Sequence, residues 1–162
     1  DNPELTVRLV RGRNPIRVIV DSHLKISPKA KVFQNTADAA TILATTSGAN
    51  RPRRMRLSAL GVEIISVPAD RQGHVDLKKL FERLAQRGIS SILIEGGSEI
   101  ITSALKQNLA NRLVTVVSPK IIGKGIEAVG ELNITALDSA KKISIAKAMR
   151  LGDDIIIDGR LS

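Results

Sequence analysis

Short aliphatic runs recur along this chain with helical segments between them, and that alternation restricts the fold more than any other feature. Residues 17–21 (Arg-Val-Ile-Val-Asp), 40–46 (Ala-Thr-Ile-Leu-Ala-Thr-Thr), 62–67 (Val-Glu-Ile-Ile-Ser-Val) and 91–95 (Ser-Ile-Leu-Ile-Glu) are short, apolar and bounded by turn formers, so they read as buried strands. Residues 54–60 form two helical turns stopped at Gly61, and residues 76–87 place Leu77, Leu80, Phe81 and Leu84 at helical spacing before Gly88. A further helix is predicted over residues 98–107. Residues 112–117, 143–146 and 154–158 read as later strands, and the last two have only residues 147–153 between them. Strands alternating with helices imply βαβ units, whereas a helix-free connection implies an antiparallel pair. The expected class is α/β: a mixed, mostly parallel sheet with flanking helices and antiparallel strands at the C-terminal end.

Composition narrows the chemistry. The chain has 162 residues, the size of one domain, and no apolar run approaches the roughly 18 residues of a membrane span. No cysteine is present, which excludes disulfides and thiolate metal sites, and His23 and His74 alone do not make a metal constellation. A cytoplasmic protein with no membrane partner and no metal is expected. The core must be aliphatic, since aromatic residues make up 1% of the chain, which also argues against a stacking platform for single-stranded nucleic acid. A formal charge of +9 suits either nucleic acid or phosphorylated small molecules. The densest cluster, Arg51, Arg53, Arg54 and Arg56, is short and interrupted, and reads as a solvated loop or a site for one phosphate group. Nucleic acid is therefore not the expected partner.

The strongest local signal is Ile94-Glu95-Gly96-Gly97-Ser98, where a predicted strand ends in two glycines and a helix starts at once. A helix start presents unpaired N–H groups and the positive end of its dipole, and residues without Cβ let an anion approach the backbone. Ser98 either caps the helix or donates to a phosphate oxygen. A tight strand–helix turn without a ligand accounts for the same residues. The segment fits neither the Gly-x-Gly-x-x-Gly fingerprint nor a Walker A loop. Glu95 stands at the carboxyl end of its strand, either as an acceptor for a heterocycle or bonded to neighbouring backbone. Lys120 and Lys124, in Ser-Pro-Lys-Ile-Ile-Gly-Lys-Gly at 118–125, either meet a phosphate or lie in a solvated loop. Arg8 either bridges a phosphate or forms a surface ion pair. His23 and His74 read as surface histidines, and no Gly-x-Ser-x-Gly elbow supports a hydrolytic nucleophile.

Four segments carry a resemblance: Asp-Asn-Pro-Glu-Leu-Thr-Val-Arg at 1–8, Pro-Ile-Arg-Val-Ile-Val-Asp-Ser at 15–22, Leu-Ile-Glu-Gly-Gly-Ser-Glu at 93–99, and the 118–125 segment. In this order they resemble the reductase domain of the bifunctional riboflavin-biosynthesis deaminase/reductase and its stand-alone relatives, over nearly the whole chain. The resemblance implies a dihydrofolate-reductase-like fold. It also implies NADPH as hydride donor and a phosphorylated pyrimidine substrate, 5-amino-6-(5-phosphoribosylamino)uracil or its undeaminated form, whose ribosyl side chain becomes ribityl. Carried over residue by residue, it implies that Asp1 and Ser22 contact the cofactor. Gly97, Ser98, Glu99, Ile100, Ile101, Thr102 and Ser103 would line its pyrophosphate, and Leu5, Arg8 and Glu95 would face the substrate, Arg8 at its phosphate. No catalytic proton donor is named by it. A homodimer is implied, and so are an earlier strand and helix before Asp1, so that residues 1–162 form a single reductase domain lacking its N-terminal strand and helix.

Two other readings stay open at this level. One is a non-catalytic basic module that binds nucleotides or nucleic acid; its affinity would fall steeply with salt. The other is a different dihydrofolate-reductase-like oxidoreductase, against which stands the absence of an aromatic-rich pterin pocket.

Overall fold

A computed structural model describes residues 2–162, and the chain divides after Ile89 into two compact units. The first contains a three-stranded parallel sheet, β1 (Arg17–Val20), β2 (Thr41–Thr45) and β3 (Glu63–Ser66), in the order β1-β2-β3. Its registers pair Val18 with Ile42 and Leu43 with Ile64. All five residues of β2 are buried, as a central strand of a parallel sheet requires, which is why its Ile-Leu-Ala centre is a continuous apolar run rather than an alternating one.

Helix α1 (Arg51–Ser58) connects β2 to β3, and α2 (Leu77–Gln86) follows β3. The α1 helix starts three residues earlier than the periodicity indicates: Asn50 accepts from the Arg53 N–H, and Pro52 fits a first turn that needs no N–H of its own. The α2 helix matches its expectation closely. Asp76 caps it through the Lys79 N–H, Leu77, Leu80 and Leu84 are buried, and Gly88 takes φ +79° just past its end. Leu24, Val32, Phe33, Leu43, Leu57 and Val62 form a core cluster, with Leu5 packed partly against it.

The second unit holds α3 (Ser98–Lys106) and a three-stranded antiparallel sheet. Its strands are β4 (Arg112–Val117), β5 (Ile143–Leu151) and β6 (Asp154–Leu161), in the order β4-β6-β5. Parallel and antiparallel strands thus both occur as expected within an α/β class, three of each, but in separate sheets rather than one mixed sheet. Residues 91–95, expected as a strand, have no ladder partner among the described residues, and Leu93 is 80% exposed. A strand exists only by pairing, so an apolar run unpaired along its edges is not one. The final hairpin is tighter than expected. Residues 147–151 belong to β5, leaving Gly152 (φ +61°) and Asp153 as the turn. A bulge between Ile145 and Lys147 faces Gly159, which lets β6 approach closely. Among the described residues no helix is long and apolar enough to cross a membrane.

Two outcomes follow from this packing. A Cβ on Gly159 would stand 2.5 Å from Ile143 Cγ2 and 2.8 Å from the Ser144 carbonyl oxygen, so Gly159→Ala must displace backbone. It should cost about 1–3 kcal/mol in denaturant unfolding. Asp158 is held below its ordinary value chiefly by its hydrogen bond from Arg112. A lowered folded pKa contributes stability above the unfolded value, about 4, and loses it as pH falls through the folded one. Melting temperature followed from neutral pH downward should therefore fall less steeply for Asp158→Asn than for the wild-type chain.

Candidate functional site

Open parallel sheets place ligands beyond the carboxyl ends of their strands, because loops there converge while helices cover the faces. In the first unit that edge is built around Ser22, immediately after β1. Its carbonyl accepts from Thr45 Oγ1 (3.0 Å) and Thr46 Oγ1 (2.9 Å), and its hydroxyl accepts the Val75 N–H at 2.9 Å. The Asp21 carboxylate takes the N–H groups of His23 and Ile26, closing the turn after β1. Asp70 does the same for Gln72 and His74, and the rings of His23 and His74 come within 6.5 Å. Sequence reasoning placed Ser22 here but treated the two histidines as separate; nothing local links residues 23 and 74, which the Ser22–Val75 hydrogen bond draws together.

The arginine cluster lies on α1, directly after the carboxyl end of β2. Arg54 is committed to β3, donating to Ser66 Oγ at 2.7 Å and to the Ile64 carbonyl at 3.3 Å. Arg83 of α2 donates to the Ser66 carbonyl. Arg51, Arg53 and Arg56 are exposed.

Segment 2–8 has no regular secondary structure, and among the described residues three hydrogen bonds hold it. The Lys31 N–H donates to Asn2 Oδ1 (2.9 Å), Arg17 Nη1 to the Glu4 carbonyl (3.1 Å), and the Val7 N–H to Asn14 Oδ1 (2.8 Å). Arg8 is exposed. Arg17 is the residue sequence reasoning missed. It is 2% exposed, and its guanidinium donates also to the carbonyls of Gln34 (3.3 Å) and Ala39 (2.7 Å). Burial pushes its pKa down from the ordinary value. The one available signal was a cation opening an otherwise apolar strand. Asp1 lies outside the described residues.

In the second unit Glu95 is exposed, Gly96 takes φ +147°, and Gly97 rather than Ser98 is the N-cap of α3. Among the described residues no side chain caps this helix, and a Cβ on Gly97 would meet nothing within 4 Å. The start of α3 therefore offers N–H groups beside open space, as anion binding needs, although Glu99 in the first turn already places one carboxylate against the dipole. Further along α3 the hydroxyls are engaged internally. Thr102 Oγ1 donates to the Ser98 carbonyl and accepts the Gly130 N–H, both at 2.7 Å, and Ser103 Oγ accepts from Gln107 at 2.9 Å. Ile100 and Ile101 are half-buried. Leu5, Arg8 and Ser22 thus belong to the first unit, and Glu95 with Gly97–Ser103 to the second. Among the described residues no group of three or more histidines and carboxylates is arranged to hold a metal.

Residues 1–157 match the profile of the RibD C-terminal domain family. The chain belongs to that family. It is 32% identical over 158 residues to the riboflavin biosynthesis protein RibD of Aquifex aeolicus, covering 97% of this chain and 42% of that protein. It is 37% identical over 123 residues to a 2,5-diamino-6-ribosylamino-4(3H)-pyrimidinone 5′-phosphate reductase of the same organism, covering 76% of this chain and 53% of that protein. Among solved structures, a diaminohydroxyphosphoribosylaminopyrimidine deaminase/5-amino-6-(5-phosphoribosylamino)uracil reductase of Thermotoga maritima superposes with TM-score 0.76 at 28% identity, over all of this chain and 42% of that one. Acinetobacter baumannii RibD shares the fold, with TM-score 0.82 at 21% identity over 44% of that chain. This RibD C-terminal domain therefore spans less than half the length of the RibD proteins it matches.

Ser22→Ala in this domain removes the acceptor of the Val75 N–H, whose residue is 3% exposed. An unpaired buried donor costs about 1–3 kcal/mol. The loss should appear in denaturant unfolding, with faster amide exchange at residues 69–75.

Proposed function

We propose that this chain carries the reductase step of riboflavin biosynthesis. It would reduce the ribosyl side chain of 5-amino-6-(5-phosphoribosylamino)uracil, or of its undeaminated form, to the ribityl one, with NADPH as the reductant. The observation that carries the proposal is the match of residues 1–157 to the RibD C-terminal family, supported by a relative that bears the name of the pyrimidinone phosphate reductase. On this reading residues 1–162 work as a single reductase domain, in the cytoplasm. A homodimer is part of the proposal, favoured by the exposed apolar residues Val114, Val116, Ile145, Met149 and Leu151 on β4 and β5.

The chain's own geometry suits the group it would hold. The uncapped start of α3, with open space at Gly97, fits a pyrophosphate, and Gly97, Ser98 and Glu99 contribute the N–H groups. Ile100, Ile101, Thr102 and Ser103 would continue the lining of that pyrophosphate along the helix, the Thr102 and Ser103 hydroxyls being engaged with Ser98, Gly130 and Gln107. In the first unit, the family resemblance assigns Ser22 and Asp1 to cofactor contact, and the exposed arginines at the start of α1 suit a 2′-phosphate. When bound, NADPH supplies the hydride. For the substrate, the family resemblance assigns Glu95, in the second unit, to the donors of the pyrimidine, and in the first unit Arg8 to the ribosyl phosphate and Leu5 to an apolar contact.

A fluorescence titration of the protein with NADPH and with NADH tests the cofactor assignment; saturable binding that prefers NADPH is expected, and none for either would overturn it. A Cβ at Gly97 meets nothing within 4 Å, so Gly97→Val should stay folded by circular dichroism and should weaken NADPH binding at least about 10-fold by standing where the anion approaches. Glu95→Gln should raise the substrate KM at least about 10-fold and leave NADPH affinity within about two-fold. Equal losses in both would contradict the role given to Glu95.

A further inference from the structure

Arg17 puts a cation in the interior, and its partners among the described residues are backbone carbonyls rather than a carboxylate. Its Nε has no partner among them at all. Burying a charge is costly and is repaid only through several well-placed hydrogen bonds, so an apolar side chain would hold β1 to its neighbours more cheaply. What a rigid planar fork provides and an apolar residue does not is directional reach to several chain segments at once. Arg17 reaches three: the loop before β2 at Ala39, the turn at Gln34, and segment 2–8 at Glu4.

The residue after Glu4 carries the second observation. Leu5 has φ +53°, in the left-handed region that a branched-chain residue of its size rarely occupies. Such a conformation persists only where the surroundings over-determine it, and it concentrates at ligand clamps. Here the surroundings are visible. The Glu4 carbonyl is fixed by Arg17, the Val7 N–H by Asn14, and the Leu5 side chain packs partly against the core cluster. The turn at Leu5 then sets where Arg8, three residues on, reaches the surface.

We propose that Arg17 is a positioning residue for the substrate-side segment, holding Leu5 left-handed through the Glu4 carbonyl and so placing Arg8 for the ribosyl phosphate. This rests on the reductase reading above. Arg17 touches neither substrate nor cofactor; it acts through the backbone of segment 4–8.

The test uses the full-length protein with Arg17→Lys, which keeps the charge but not the fork, and with Asn14→Ala, which cuts the second tether on the same segment without disturbing a buried cation. Substrate KM, NADPH affinity and amide exchange over residues 2–9 are measured for each. For Arg17→Lys the substrate KM should rise about 10-fold or more while NADPH affinity stays within about two-fold, as misplacement of a positioning group predicts. Exchange at residues 5–8 should quicken while β1–β3 stay protected. Asn14→Ala should show the same split to a smaller degree, and it carries the test if Arg17→Lys does not fold. Unchanged exchange over residues 2–9, or a substrate KM that moves no more than NADPH affinity does, would overturn the proposal and leave Arg17 a structural residue. Wild-type turnover decides the reductase reading separately, and the exchange measurement judges Arg17 without any turnover.

Discussion

Arg17 meets three backbone carbonyls at the amino end of β1, and the first unit is organised around that arrangement. One guanidinium joins the strand to the chain before β2, to the turn at residues 31–34, and to an N-terminal segment that has no secondary structure of its own. The parallel ladder fixes β1 against β2, but it does not reach segment 2–8. Without the buried cation, that segment would lose its tether at Glu4 and keep, among the described residues, the side-chain hydrogen bonds at Asn2 and Asn14 and the partial packing of Leu5. A buried charge is a poor way to gain stability and a good way to specify one geometry.

The same division between scaffold and edge runs through both units. In the first, apolar side chains of β2, α1 and α2 supply cohesion, while the polar groups gather beyond the strand ends, where Thr45 and Thr46 converge on the Ser22 carbonyl. In the second, α3 buries Ala104 and Leu105 toward its C-terminal end and leaves its N-terminus uncapped beside Gly97.

Sequence made the cohesive parts legible and the long-range ones obscure. Residues 17–21, 40–46 and 62–67 announce β1–β3 because each carries a short aliphatic run bounded by turn formers, and Asp76 with Gly88 brackets α2 because caps are local chemistry. The 91–95 run carries the same signal as those strands yet lies unpaired, since apolarity reports what a segment needs to cover and not whether a partner is present. Gly97 in place of Ser98 as the cap of α3 turns on one residue of backbone geometry that composition does not encode. The motifs at 1–8 and 93–99 were readable as a family likeness, and the family match agrees with them. Arg17 and the meeting of His23 with His74 were not readable, because each depends on residues 13 to 53 positions apart that only folding brings together.

The proposed reduction delivers a hydride to the sugar carbon next to the pyrimidine amine. Full-length protein incubated with the phosphorylated ribosylaminopyrimidine and NADPH carrying deuterium at both positions of the nicotinamide C4 tests it most directly, with the product analysed by mass spectrometry. The account predicts a ribityl product carrying one deuterium at the former anomeric carbon. Recovery of unreduced substrate, or a reduced product without deuterium at that carbon, would contradict it.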